Sequence, residues 1–283
     1  MRIAVWATAA VVGFLVILAP ILSGLYLPKQ PYLIPIDQIT NNIIAIGLLI
    51  MITIPGFVEY SNYRWMRQIE SSIPRVLRDI AEAIHSGVTL PKAVEQATAK
   101  GYGPLSEELE RAMALFVLGS DWEKSIMSIT KRVKNASVAR FATILVEANQ
   151  AGGKITEVLD MSVELFSNID QYREEQLNNM KPYTYTIYAA IAVFLIISLV
   201  VLTQFLVPLG SSGMSQMGPG NSVTMLDINY YSSILFWASI IESLFAGLIA
   251  GKIGDRCYLS GLRHSALLIG ITLIFFNVLG GLL

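Results

Sequence analysis

Five apolar runs, each about long enough to cross a bilayer, constrain this chain more than any other feature. Ile3 to Leu25 is 23 residues, enough to span a ~30 Å hydrocarbon core at helical rise. Asn42 to Val58 is a shorter span with Pro55 near its inner end. Tyr183 to Val207 is a third, entered at Pro182 and left at Pro208. Tyr230 to Ala250 and Ser265 to Leu283 complete the set. The first run is long for a cleavable signal and has a single Arg2 before it, so a retained helix is expected. A mean hydropathy of +0.57 with only 14% charged residues agrees with a membrane protein.

The charge is concentrated in one place. Residues 59–182 hold 15 of the 20 Lys and Arg and 17 of the 21 Asp and Glu, so this stretch reads as a water-soluble domain between two sets of spans. Apolar residues recur in it at helical spacing, first at Ile73, Val76, Leu77, Ile80 and Ile84, with Gly87 as the stop. Thr89 and Pro91 restart a helix that Gly101 ends. Leu109, Ala112, Met113 and Phe116 follow Gly103-Pro104, and Gly119 intervenes. Ser120 with Glu123 predicts a capping box. The next stripe is Trp122, a core residue by its position, with Ile126, Ile129 and Val133. Asn135 breaks it. Val138, Phe141, Ala142 and Leu145 lead to Gly152-Gly153, and a last helix runs from Ile155 to about Met180. Gly87, Gly119 and Gly152 lie 32 and 33 residues apart. That spacing fits either a helical hairpin repeated three times or any bundle of short helices.

The expectation is therefore all-α: a polytopic membrane protein with about five transmembrane helices and one cytoplasmic six-helix bundle. Its divisions are two spans in 1–58, the bundle in 59–182 and three spans in 183–283. Orientation follows from basic residues in the short loops. Arg2 and the 251–264 turn, with Lys252, Arg256 and Arg263, alternate onto the same side as the bundle. The 28–40 loop has only Lys29, and 208–229 has no Lys or Arg. The N-terminus and bundle are thus expected in the cytoplasm and the C-terminus outside. The Gly210 to Val223 stretch reads as a flexible loop.

Chemistry-bearing motifs are sparse. There is no phosphate-cradling Gly-rich loop before Lys-Ser/Thr, no nucleophile elbow and no HExxH helix, so neither catalysis nor a cofactor is expected. A single Cys257 and two separated histidines, His85 and His264, exclude a Cys- or His-rich metal centre. A net charge of −1 gives no field to draw nucleic acid. Glu242 sits inside the fourth span, where an ionised carboxylate is costly. It reads as a helix-packing contact, beside Ser239 and Ser243 with Asn277 as candidate partner, or alternatively as the ion site of a transporter or channel. Asp255 and Arg256 read as loop capping. Gly247 and Gly251 form a small-xxx-small step suited to close helix packing.

The stretch Leu77-Arg78-Asp79-Ile80-Ala81-Glu82-Ala83-Ile84-His85-Ser86-Gly87-Val88-Thr89-Leu90-Pro91 resembles the first hairpin of the type II secretion system F domain. Pro104-Leu105-Ser106-Glu107-Glu108-Leu109 with Leu118-Gly119-Ser120 is similar to its middle. Phe141-Ala142-Thr143-Ile144-Leu145 through Ala151-Gly152-Gly153-Lys154-Ile155 is similar to its closing helices. The tail, Ala246-Gly247-Leu248-Ile249-Ala250-Gly251 through Gly261-Leu262-Arg263-His264, looks like the archaeal branch. The resemblance implies a platform protein of a type IV pilus, tight-adherence pilus, archaellum or type II secretion machine, with no enzymatic chemistry. It implies a hexameric secretion ATPase, pilin-like subunits and the lipid bilayer as partners. Many such proteins carry two of these domains. One here implies a homodimer, pairing with a second platform protein, or a chain that corresponds to the C-terminal half of a longer relative.

Six antiparallel helices return the chain to the membrane with all three glycine turns at the far end. This places Ser86, Lys92, Asp121, Glu123, Lys124, Lys154 and Glu157 there as candidate contacts for an ATPase, around the structural turns Gly87, Gly119, Gly152 and Gly153. The other turns would face the bilayer. Lys131, Arg132, Lys134 and Arg140 read by themselves as a solvated face, a lipid contact or an acidic-partner contact. The parity of the helices sets Lys100, Lys131, Arg132 and Lys134 near anionic headgroups.

Overall fold

A computed structural model describes residues 2–24, 26, 34–208, 228–255 and 257–280. The expectations for Leu25, Lys29, Arg256 and the Gly210 to Val223 loop lie outside the described residues. Nine α-helices are described: α1 (Arg2–Leu22), α2 (Gln38–His85), α3 (Leu90–Ala99), α4 (Pro104–Val117), α5 (Trp122–Arg132), α6 (Ala136–Gln150), α7 (Ile155–Val200), α8 (Ile228–Gly254) and α9 (Tyr258–Gly280). A 3-10 turn, Gly152–Lys154, precedes α7, and a wide i→i+5 turn, Val201–Leu206, follows it. Five helices, α1, α2, α7, α8 and α9, are long and apolar enough to cross a membrane.

Three helices overrun their expected ends. α2 passes through Pro55 and Pro74 to His85, so the second span and the first bundle helix are one element of 48 residues. α7 passes through Pro182, which opens no new helix. A proline removes one backbone bond and kinks a helix, but neighbouring turns and side chains re-satisfy the freed carbonyl. The expected polar turn at 251–264 shrinks to residues 255–257, because α9 begins at Tyr258. The cause is a close crossing. A Cβ on Gly251 would lie 2.1 Å from the Gly261 Cα, and one on Gly247 would lie 2.3 Å from the Ser265 Cα. Only residues without side chains let two backbones approach so nearly, and the hairpin they form needs few connecting residues.

The chain divides into two compact units, one formed by Met1–Tyr60 with Asn179–Leu283 and the other by Ser61–Asn178. The divisions fall inside α2 and α7. In the first unit, Ile191, Leu195, Phe236, Ile240, Leu268, Ile269 and Leu273 form the buried centre. α1 meets α2 where Gly13 faces Gly47 and Met51. Polar side chains pair inside this unit. Ser243 bonds Thr272 at 2.9 Å, Trp237 donates to the Asn41 side chain at 2.8 Å, and Asn42 donates to Asn277 at 2.6 Å. Asn277 is thus the partner of Asn42. The expected pairing with Glu242 is not present. At the α8–α9 turn, Asp255 accepts from Ser260 and from Arg263, the latter at 2.8 Å, with His264 at 3.9 Å. Burial pushes the Asp255 carboxyl up, but the bonds from His264 and Ser260 and the Arg263 charge outweigh it. They hold the group below its ordinary range.

In the second unit the apolar stripes close one core around Ile73, Leu77, Ile80, Leu105, Leu109, Ile126, Phe141, Leu145 and Leu159. Burying one such side chain contributes about 2 kcal/mol. An exposed ion pair such as Lys92–Glu95, 2.9 Å apart, is worth about 0.5 kcal/mol. The stripes therefore set this fold. Trp122 is buried, donates to the Leu145 carbonyl at 3.1 Å and stands edge-on to Phe116. Asn135 caps α6 by accepting from the Ser137 amide at 2.7 Å. The expected Ser120–Glu123 capping box is absent. The Ser120 amide is spent on the Leu115 carbonyl at 3.1 Å, closing α4, and Asp121 occupies the N-cap position of α5 without a side-chain bond.

Two carboxylates in this unit carry more than the exposed pairs. Glu108 has 7% of its side chain exposed, takes Arg132 Nε at 2.6 Å and Arg111 Nη1 at 2.8 Å, and ties α4 to α5. Glu70 takes Arg173 and, at 2.8 Å, the Asn135 amide. Truncating Arg132 leaves a buried carboxylate short of a donor. Arg132→Ala should lower stability by about 2 kcal/mol, whereas Lys92→Ala should cost under about 0.5 kcal/mol. Thermal unfolding of the detergent-solubilised chain followed by circular dichroism checks the ordering.

Candidate functional site

The glycine turns build one end of the polar unit. Gly87 and Gly119 have φ of +88° and +94°, a backbone conformation that residues with a Cβ adopt at a cost. Each closes its helix with the same pair of bonds. Gly87 and Val88 amides bond the Ile84 and Ala83 carbonyls, and Gly119 and Ser120 amides bond those of Phe116 and Leu115. This is the Schellman arrangement. Gly152, with φ of +55°, differs by opening a 3-10 turn into α7, while Gly153 needs no positive φ. The three turns are therefore alike in position and only two are alike in build.

Contacts within the unit show which turns share an end. His85, at the end of α2, reaches both carboxylate oxygens of Asp160 near the start of α7 at 3.1 Å. Trp122, at the start of α5, bonds Leu145 late in α6. Gly87, Gly119 and Gly152 thus lie together. The remaining turns lie at the other end. Tyr102 accepts from Ser72, and Asn135 bonds Glu70. Ser86, Lys92, Asp121, Glu123, Lys124, Lys154 and Glu157 are all exposed around the glycine turns. They present mixed charge.

Two apolar side chains join them. Val117 and Leu118 are 80% and 83% exposed, beside Gly119 and off the buried stripe of α4. Leu118 is off the register of Leu109, Ala112 and Met113, while Val117 continues it by spacing, one residue before α4 gives way to the Gly119 turn. A shallow groove of about 240 Å³ between α2 and α3 has Asp79, Glu82, Ser86, Gln96 and Lys100 on its walls and Ala93 and Ala97 on its floor.

The four basic residues expected at the other end divide. Lys100 pairs with Asp79 at 2.8 Å, and Arg132 is engaged by Glu108. Lys131 and Lys134 are exposed, without an acidic partner among the described residues. Glu108, a carboxylate one step from the apolar stripe, claims Arg132, a long-range pairing that spacing along the sequence does not mark. Among the described residues no group of three or more His, Cys, Asp or Glu is placed to hold a metal ion.

Comparison with known proteins follows this geometry. The family model for the type II secretion system (T2SS), protein F, matches residues 76–203, from α2 to the wide turn after α7. An uncharacterized protein of Methanocaldococcus jannaschii is 21% identical over 237 residues, covering 84% of this chain and 38% of that protein. The chain thus spans about two fifths of that relative's length. No solved structure matches it. Five helices long and apolar enough to cross a membrane, among the described residues, fit a multi-pass membrane protein, and its residues 76–203 match the type II secretion system F family model.

Proposed function

We propose that this chain is the membrane platform of a type IV filament or type II secretion machine, of the archaeal branch. In this role it couples a hexameric cytosolic ATPase to the assembly of pilin-like subunits. The observation that carries the reading is the F domain match on a bundle whose exposed end joins mixed charge to two exposed apolar side chains. The tail sequence and the Methanocaldococcus jannaschii relative favour the branch. The role is structural: the platform holds and transmits, and the chemistry belongs to the ATPase. A helix has no loop in which to absorb movement, and α2 and α7 cross the unit divisions as unbroken helices. They are suited to passing a push or turn along the chain. Pairing with a second copy or a sister platform protein completes the assembly. Lys131 and Lys134 attract anionic lipid, each by about 1 kcal/mol.

The ATPase docks on the glycine-turn end. Val117 and Leu118 supply apolar contact and the charges set register. Reversing Lys92, Asp121, Glu123 and Lys154 together should abolish co-purification of the ATPase with helical content unchanged. Val117→Ser with Leu118→Ser should weaken it roughly tenfold. Reversing Lys131 and Lys134 should leave it intact. If only the last pair matters, the ATPase binds the other end and the docking proposal fails.

Orientation is tested separately. Cysteines placed at 210–222 should react with an impermeant maleimide on intact cells, and cysteines at exposed bundle positions such as Glu123 should react only after lysis. Labelling of the bundle from outside would reverse the topology.

A further inference from the structure

Glu242 has 14 residues of α8 before it and 12 after it, which puts it roughly 18 Å from the nearer helix end. A carboxylate at that depth is costly without a partner. The polar side chains around it are committed elsewhere. Ser239 donates to the Leu235 carbonyl at 2.8 Å, Ser243 pairs with Thr272, and Asn277 pairs with Asn42. Among the described residues no side chain bonds or ion-pairs with Glu242.

The face on which it stands is patterned. Tyr231, Leu235, Ala238, Glu242, Phe245 and Ile249 follow one another at alternating steps of four and three. That is the spacing of a seam between paired helices. The opposite face of α8, with Phe236, Ser239, Ile240, Ser243 and Gly247, is already buried within its unit. On the seam, Tyr231, Ala238, Phe245 and Ile249 are exposed and Leu235 and Glu242 half-buried. A seam that only met lipid would have no use for a carboxylate at its centre.

We propose that this face of α8 receives a transmembrane helix of a different protein, and that Glu242 meets there a hydrogen-bond donor or cation carried at mid-bilayer depth. A second copy of this chain does not supply one. The same face would set carboxylate against carboxylate, and Lys181, Lys252, Arg263 and His264 stand towards the ends of the spans. The inference holds whichever machine the chain serves.

The test uses the full chain in its native membrane, with a photoreactive amino acid at Ala238 or at Ile249, and Ile274 on α9 as a lipid-exposed control position. Irradiation should give an adduct at 238 and 249 and none at 274. Its crosslinked peptide should come from an apolar segment of another protein that carries a donor group. Glu242→Leu should lower adduct yield roughly tenfold. Glu242→Gln keeps an acceptor of the same shape without the charge: it should retain the adduct where the partner group is a neutral donor and lose it where that group is a cation, with helical content unchanged in either case. An adduct with a second copy, adducts with lipid alone, or a yield indifferent to Glu242→Leu would each overturn the proposal.

Discussion

A backbone amide in hydrocarbon has no water to bond, so every turn inside the bilayer must satisfy its own N–H and C=O groups. The first unit follows from that requirement. Its helices run through Pro20, Pro55 and Pro182 and do not break at them. Their side chains pair across spans where they are polar, as Asn42 with Asn277 and Ser243 with Thr272. Association there gains little from the hydrophobic effect and depends on close packing. The crossings at Gly247, Gly251 and Gly261 show how near two backbones come when side chains are absent. The second unit, which carries most of the charge, is built differently. Glycine turns cut it into short helices, and apolar burial holds them.

How much of this was legible depended on which rule was local. The centres of the five spans were readable because a run of apolar residues has one physical meaning at that length. Their ends were not. Proline is a stop signal in water, so the second span was expected to end just after Pro55 and the third to begin at Pro182, whereas α2 and α7 both continue through these residues. Most of the bundle's core was readable from spacing, with Trp122, Ile126, Phe141 and Leu145 buried as their positions required, but in the last helix the spacing that holds for Leu159 fails at Leu165, which is exposed where its neighbour Phe166 is buried. Ser120 was misread because its capping pattern competes with the closing bonds of the preceding helix, a competition visible only in three dimensions.

Polar partners were the least legible part. Asn277 looked like a mate for Glu242 because both are rare in spans, yet the partner was Asn42, 235 residues away in sequence. Arg132 was set near headgroups by the parity of the helices, and its pairing with Glu108 was not foreseen. Both partnerships were missed for one cause. A side-chain pair is a long-range fact, while periodicity and capping are short-range ones.

Docking of an ATPase on the glycine-turn end is the central claim, and hydrogen exchange measures it most directly. The full chain in nanodiscs, with and without the secretion ATPase of the same organism, should gain protection at 86–92, 115–124 and 152–157. Exchange at 100–104 and 133–137 should be unchanged. Protection at the second set, or at neither, would contradict docking at the glycine turns.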